Sequence, residues 1–200
     1  MFTAFLDACV LLPVALGDTL LRAAEADLYR PAWSPRVQEE VRRAFAVVRP
    51  DLPPSRIEAR LRAADREFPD ALTTGYEPIE AGLVLPDPDD RHVVAAAVAA
   101  RADAVVTANL ADFPEAALGP LGLQAVGPDD FLLDLLDLAP ARMGRVVEEQ
   151  AAATSRPALD VEDVLIALGR AGAAGFASAV RSARRERPSE PGVAQEVVVV

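Results

Sequence analysis

Short apolar runs alternate with stretches that carry apolar residues at helical spacing along the first two thirds of the chain. A short continuous apolar run is typical of a strand that is covered on both faces, and such runs lie at residues 3–11, 81–85, 104–107 and 123–126. Apolar residues recurring at every third or fourth position predict helices at residues 14–26, 35–49, 55–68, 90–101 and 128–138. Pro, Gly and Thr residues predict a loop over residues 68–80.

This alternation predicts an α/β fold for residues 1–138, with a central, mostly parallel sheet, helices on both faces and right-handed crossovers. Pro140 begins a different pattern. Three amphipathic stretches predict a helical appendage over residues 140–184, packed on the core or on a partner. Residues 185–200 are charged and contain Pro, which predicts a disordered tail.

Asp90 stands at the head of the Ala- and Val-rich helix, on the same face as an apolar stripe. The stripe consists of Val94, Ala97 and Val98. A carboxylate at the head of a buried stripe is costly to bury alone and needs a cation or a proton. Helix capping is the simpler explanation, because Asp is favoured at helix starts. It accounts for Asp87 or Asp89, but less well for all three acids together.

Asp7 and Asp112 follow apolar runs in the same way. Asp7 interrupts the first run after Leu6, and Asp112 comes after the strand of residues 104–107. Sites in parallel sheets form beyond the carboxyl ends of the strands. We therefore expect these two side chains to converge there, close to the helix start that carries Asp90.

Glu40 differs from its neighbour Glu39 in the face of the helix on which it falls. Glu40 is spaced by three and four residues from Val37 and Ala44, on the apolar face. Glu39 falls on the polar face, with the arginines that follow it. The pattern predicts that Glu40 points inward and Glu39 points outward.

Four inward acids with few basic partners predict a divalent-metal site with hard oxygen ligands. The four are Asp7, Glu40, Asp90 and Asp112. Without a cation, their mutual repulsion would raise their pKa values or unfold the site. Thr107 and Asn109 are interpreted as supporting residues that orient ligands or water, with capping of the loop as the alternative.

The acids and their neighbours resemble a PIN domain and, more narrowly, the VapC-type ribonuclease toxins of bacterial toxin–antitoxin modules. The residues that carry the resemblance cover about residues 1–138. They are Leu6–Leu11, Trp33, Ser34, Glu40, Val41, Arg43, Asp90–Ala97, Val106, Thr107, Asn109, Asp112, Phe113 and Pro114. Cys9 departs from the pattern, because many relatives carry Asn or Ser there.

The resemblance implies a PIN-like three-layer α/β/α fold and a toxin of a type II toxin–antitoxin system. It implies a metal-dependent endoribonuclease that uses Mg²⁺, or Mn²⁺, to hydrolyse RNA phosphodiester bonds. It places Asp7, Glu40, Asp90 and Asp112 in catalysis and metal binding, with Thr107 and Asn109 supporting them. It also implies a cognate antitoxin and a homodimer.

Amino-acid composition counts against several other protein classes. All 20 basic residues are arginine, which excludes the phosphate-binding lysine of a P-loop NTPase and counts against a haloacid-dehalogenase-like phosphatase. A single cysteine gives no disulfide framework. The apolar runs are too short to span a bilayer and no basic region precedes the first one, so we expect a cytoplasmic protein without membrane association.

Net charge is the main evidence against a nuclease, because nucleic-acid binders usually carry a basic footprint and this chain has a net charge of −11. Six arginines could still form a local patch, although most are expected to pair with surface acids. They are Arg22, Arg30, Arg36, Arg42, Arg43 and Arg91.

A DNA nuclease of the same fold and a non-catalytic PIN-like binding module remain alternatives. His92 is interpreted as a half-exposed helix residue and Cys9 as a small buried hydrophobe.

Overall fold

A computed structural model describes residues 1–154 and 158–186. The first half of the chain forms β1 (Thr3–Leu6), α1 (Ala8–Leu11), α2 (Val14–Glu25), β2 (Arg30–Ala32), α3 (Pro35–Val48), α4 (Ser55–Glu67), α5 (Glu77–Glu80) and α6 (Arg91–Ala99). The second half forms β3 (Ala104–Val106), α7 (Glu115–Leu118), β4 (Gln124–Val126), α8 (Pro128–Leu138), α9 (Pro140–Ala153), α10 (Val161–Arg170) and α11 (Ala174–Glu186). Short 3₁₀ turns lie at Pro88–Asp90, Leu110–Asp112 and Gly119–Leu121.

The four strands form one parallel sheet in the order β2-β1-β3-β4. Four residues, one from each strand, are aligned across the sheet: Ala32, Phe5, Val105 and Ala125. Helix α6 packs on β1 and β3, and α2 packs on β2. The predicted α/β class with a parallel sheet is confirmed, and the carboxyl ends of β1 and β3 lie side by side.

The predicted strand over residues 3–11 was too long. The strand ends at Leu6, and Asp7 caps a one-turn helix, since its backbone carbonyl accepts hydrogen bonds from the amides of Val10 and Leu11 at 3.2 and 3.3 Å. The strand and the helix are both largely buried here, so an apolar run could not separate them.

The predicted strand over residues 81–85 was wrong. These residues form a turn and an irregular connection, in which Val84 is 81% exposed. The edge of the sheet is instead β2, whose Arg30-Pro31-Ala32 sequence carries no strand pattern. Pro lacks an amide to donate and is tolerated on an edge strand.

The predicted loop over 68–80 also contains a bridge from Leu72 to Trp33 and the short helix α5.

The three helices predicted after Pro140 are present as α9, α10 and α11. Their apolar faces belong to the same continuous core as the sheet. A buried Gln150 on α9 accepts a hydrogen bond from the Thr19 hydroxyl at 2.5 Å and donates to the carbonyl of Ala15 at 2.9 Å. Helix α9 is therefore fixed to α2 by polar and apolar contacts.

The carboxylate of Asp129 on α8 caps the start of α11. It accepts hydrogen bonds from the amides of Gly175 and Phe176 at 2.9 and 2.7 Å. A Cβ atom at Gly175 would lie 2.7 Å from an oxygen of Asp129, so the close approach requires glycine. Helix α11 runs to Glu186, and the rest of the predicted tail, residues 187–200, lies outside the described residues. Within the described ranges, no helix is long and apolar enough to cross a bilayer.

Candidate metal centre

Asp7 is held rigidly at the carboxyl end of β1. One carboxylate oxygen, Oδ2, accepts hydrogen bonds from the Thr107 hydroxyl at 2.7 Å and from the Cys9 thiol at 3.1 Å. The other, Oδ1, accepts from the amide of Ala8 at 2.6 Å. Asp7 is 8% exposed and Thr107 is fully buried. The hydrogen bonds compensate for burying the carboxylate and fix its orientation.

Cys9 supplies one of these donors. Its sulfur also accepts a hydrogen bond from the amide of Ala108 at 3.2 Å. Burial, followed by the negative charge of Asp7, raises the pKa of the thiol to about 11. The side chain therefore keeps its S–H at neutral pH, where it donates to Asp7 instead of acting as a nucleophile. Cys9 was expected to be a buried hydrophobe, and this donor role adds to its packing.

Three further acids converge above this edge of the sheet. One carboxylate oxygen from each of Asp87, Asp90 and Asp112 lies within 4.8 Å of the others. Asp87 precedes the 3₁₀ turn that Asp90 ends, and it also accepts a hydrogen bond from the amide of Asp89 at 2.8 Å. The amide side chain of Asn109 donates to Asp112. Asp7, Asp87, Asp90 and Asp112 are called the acidic edge below.

The surroundings of Asp90 at the acidic edge disfavour its charged form. Burial raises the pKa of Asp90 to about 6, and the charges of Asp7, Asp87 and Asp112 add to this rise in that order. Within the described ranges, none of the four acids makes an ion pair with an arginine or histidine. Clustered, unpaired carboxylates are the donor set that a divalent cation prefers, so these residues fit Mg²⁺ or Mn²⁺.

Glu40 lies outside the group of three acids. Its Oε1 lies 2.9 Å from Nε2 of His92 and 4.0 Å from Nε of Arg36. Its side chain is 29% exposed, whereas that of Glu39 is 56% exposed and pairs with Arg42 at 3.5 Å. The predicted difference between an inward Glu40 and an outward Glu39 is confirmed.

Sequence reasoning missed two residues of this region. Asp87 was explained by capping, and the structure shows that it both caps the turn and joins Asp90 and Asp112. The spacing of three residues between Asp87 and Asp90 was the available signal. His92 was expected to be half-exposed and is only 1% exposed. The signal for its burial was the absence of any polar residue from Val93 to Ala100, which is typical of a helix that is buried all round.

A comparison with known families decides the identity of the fold. The sequence model of the PIN domain matches residues 3–111, which is more than half of the chain. The chain belongs to the PIN-domain family. The three-layer α/β/α fold and the resemblance to VapC-type proteins are thereby confirmed. A second model, described as the VapC50 C-terminal domain, matches residues 128–182.

One curated PIN-domain relative matches part of the chain. It is named "Putative ribonuclease VapC50" and comes from Mycobacterium tuberculosis (strain ATCC 25618 / H37Rv). The two sequences are 41% identical over 110 residues, which is 53% of this chain and 64% of the relative. The match thus spans less than two thirds of the relative's length. No solved structure matches the chain.

Proposed function

We propose that this PIN-domain protein is the toxin of a type II toxin–antitoxin system and acts as a metal-dependent endoribonuclease on RNA phosphodiester bonds. The observation that carries the proposal is the acidic edge, where oxygens of Asp87, Asp90 and Asp112 lie within 4.8 Å of one another beside Asp7. The name of the M. tuberculosis relative supports ribonuclease chemistry for such a site.

We propose Asp7, Glu40, Asp90 and Asp112 as the catalytic and metal-binding residues, with Mg²⁺ as the ion and Mn²⁺ as its substitute. We add Asp87 to this proposal as a further oxygen donor, because its carboxylate lies within 4.8 Å of those of Asp90 and Asp112. One or two such ions, when bound, lower the pKa of a water molecule and offset the charge that develops on the phosphate oxygens. The protein supplies the fixed array of carboxylate oxygens that would bind the ion.

The supporting residues act on the orientation of these acids. Thr107 and Cys9 donate to the same oxygen of Asp7, so rotation of that carboxylate would break two hydrogen bonds. The side-chain amide of Asn109 donates to Asp112. The backbone amide of Asn109 donates to the hydroxyl oxygen of Thr107 at 3.1 Å. This chain of contacts couples the residues after β3 to the acid after β1.

An overall acidic protein needs local cations to hold RNA phosphates. Of the six candidate arginines, Arg22, Arg36 and Arg42 form ion pairs with neighbouring acids. No ion pair forms at the other three within the described residues: Arg30, Arg43 and Arg91. Arg43 and Arg91 follow Glu40 and Asp90 in α3 and α6, and we propose them as the phosphate contacts.

The proposed partners are an RNA substrate, a cognate antitoxin and a second copy of the chain, in the cytoplasm. The division into a nuclease domain (1–138), a helical region (140–184) and a tail (185–200) stays a prediction. We propose that α9–α11 brace the nuclease domain, because their apolar faces belong to its core. Two polar contacts add to this: Gln150 on α9 donates to Ala15 on α2, and Asp129 on α8 caps α11.

The test is a cleavage assay on total RNA and on single- and double-stranded DNA, with Mg²⁺, Mn²⁺ or EDTA. We expect RNA fragments with either metal and none with EDTA. Asp90→Asn should abolish most cleavage, and Asp89→Asn is the matched control, because exposed Asp89 lies next to Asp90 but outside the group of three acids. Cleavage of DNA alone would favour a DNA nuclease, and no cleavage with metal would favour a binding module.

A further inference from the structure

Glu40 is the proposed catalytic acid whose carboxylate lies against the imidazole ring of a histidine. His92 Nε2 lies 2.9 Å from Glu40 Oε1. His92 follows Asp90 by two residues in the first turn of α6, so it ties the start of α6 to Glu40 on α3. Asp7 and Asp112 are restrained by neutral donors instead.

The burial of His92 needs an explanation. Only 1% of the residue is exposed, and its neighbours Val93 and Val94 are fully buried. An imidazole ring is costly to bury unless its polar atoms find partners. Among the described residues, the contact of Nε2 with Glu40 at 2.9 Å is the polar contact of the ring, since Nδ1 is buried without a partner there.

The short distance identifies which ring nitrogen can act on Glu40. A carboxylate oxygen accepts hydrogen bonds, so Nε2 of His92 is the nitrogen placed to donate an N–H to Glu40. Nδ1 is buried and has no partner among the described residues, so it makes no competing contact there.

We propose that His92 is a positioning residue for Glu40, whose Nε2–H fixes the Glu40 carboxylate beside the acidic edge. This inference rests on the proposed metal-dependent function. Donors that orient a metal-binding group affect metal affinity by about 10- to 100-fold in other proteins. His92 acts through Glu40, and its effect should vanish when Glu40 can no longer contribute charge to the site.

The experiment is a double-mutant cycle on Mn²⁺ affinity in the full chain, measured from the electron paramagnetic resonance signal of free Mn²⁺. The variants are His92→Phe, Glu40→Gln and the double mutant. We expect His92→Phe to weaken Mn²⁺ binding about 10-fold or more. In the Glu40→Gln background the same change should cost less than about threefold, because coupled residues are not additive. His92→Gln, which keeps a side-chain N–H, should recover most of the loss.

A second measurement observes the same contact directly in the wild type. The chain has one histidine, so a ¹H–¹⁵N spectrum of the imidazole reports on His92 alone. The wild type should show a proton on Nε2, and Glu40→Ala should shift the signal of that nitrogen.

The possible failures are distinguishable. If the wild type binds no Mn²⁺, both the proposed function and this inference are overturned. If the wild type binds Mn²⁺ but folded His92→Phe or His92→Gln changes affinity equally in both backgrounds, only the inference is overturned. A wild-type Nδ1–H tautomer would also overturn it.

Discussion

Carboxylates at the acidic edge and carboxylates in the C-terminal helices, α9–α11, differ in their partners. Those of the C-terminal helices have cationic or amide partners, whereas those of the acidic edge lie against other acids. In the C-terminal helices, Glu148 pairs with Arg184 at 2.6 Å and Glu162 pairs with Arg181 at 2.7 Å. Asp160 and Asp163 exchange hydrogen bonds with the amides at the start of α10, and Asp129 caps α11. Hydrogen bonding from Arg181 lowers the pKa of Glu162.

At the acidic edge the pKa of Asp90 moves in the other direction, to about 6, through burial and then the charges of its neighbours. The C-terminal helices use acids as caps and ion pairs, which stabilise the fold without any ligand. The acidic edge keeps acids together although they repel. The difference indicates that fold stability does not explain the clustering of these acids, and it agrees with the cation site proposed above.

The largest expected effect separates Glu40 from Glu39. Glu40→Gln should lower the rate of RNA cleavage by on the order of a hundredfold, because it removes a proposed catalytic charge. Glu39→Gln removes the same charge from an outward residue paired with Arg42, and cleavage should stay near that of the wild type. Initial cleavage rates of both variants give the comparison. Equal losses in the two would refute the argument from helix faces.

The next effect concerns the cap on α11. Asp129→Ala should lower the free energy of unfolding by about 1–2 kcal/mol, because two amides at the start of α11 lose their acceptor. Asp130→Ala is the matched control, since Asp130 is exposed in the same turn of α8. Urea unfolding of both variants measures the difference. A similar loss in the control would assign the effect to the start of α8 instead.

A smaller effect with an unusual sign is expected at Asp90 in EDTA. The pKa of Asp90 is raised in the folded state from 3.8 to about 6, so its ionisation disfavours folding and stability falls as pH rises through that range. Asp90→Asn removes this penalty, and its melting temperature should equal or exceed that of the wild type above pH 6. The advantage should shrink toward pH 4.

Metal should reverse that order. Mg²⁺ binds the folded state and raises the melting temperature of the wild type by mass action, and the mutant should rise less. Melting curves at pH 4, 5, 6 and 7, with EDTA or Mg²⁺, provide the check. A clearly lower melting temperature for Asp90→Asn in EDTA would make Asp90 a structural cap.

The smallest effect is expected for the exposed pair of Glu162 and Arg181. Glu162→Gln should change the melting temperature little, since solvent screens exposed ion pairs. The lowered pKa of Glu162 means that any contribution is present at neutral pH and is lost as pH falls. Cleavage and metal binding should be unchanged, and a loss of either would show that the C-terminal helices take part in the site.

Sequence patterns predicted elements best where apolar periodicity was long. Helices α2, α3, α8 and α9–α11 lie where spacing placed them. The patterns failed where an element was short or at an edge, as with β2, because a three-residue strand has no period to detect.

At the candidate site, chain order and strand ends predicted that Asp7, Asp90 and Asp112 would converge, whereas three-dimensional pairings could not be predicted. The contact of Asp129 with α11 joins residues 46 positions apart. The 2.9 Å contact between Glu40 and His92 likewise depends on where α3 and α6 lie relative to each other. Side-chain contacts between distant elements leave no periodic signal in a single sequence.

Calorimetric titration of Mn²⁺ tests the central claim most directly, namely that the unpaired acids are held together for a divalent cation. The three proteins to compare are the wild type, Asp90→Asn and Glu162→Gln. Each variant loses one negative charge, Asp90→Asn at the acidic edge and Glu162→Gln in the C-terminal helices. The account predicts saturable binding to the wild type and to Glu162→Gln, with at least about tenfold weaker binding to Asp90→Asn. Equal binding by all three, or no binding by the wild type, would contradict it.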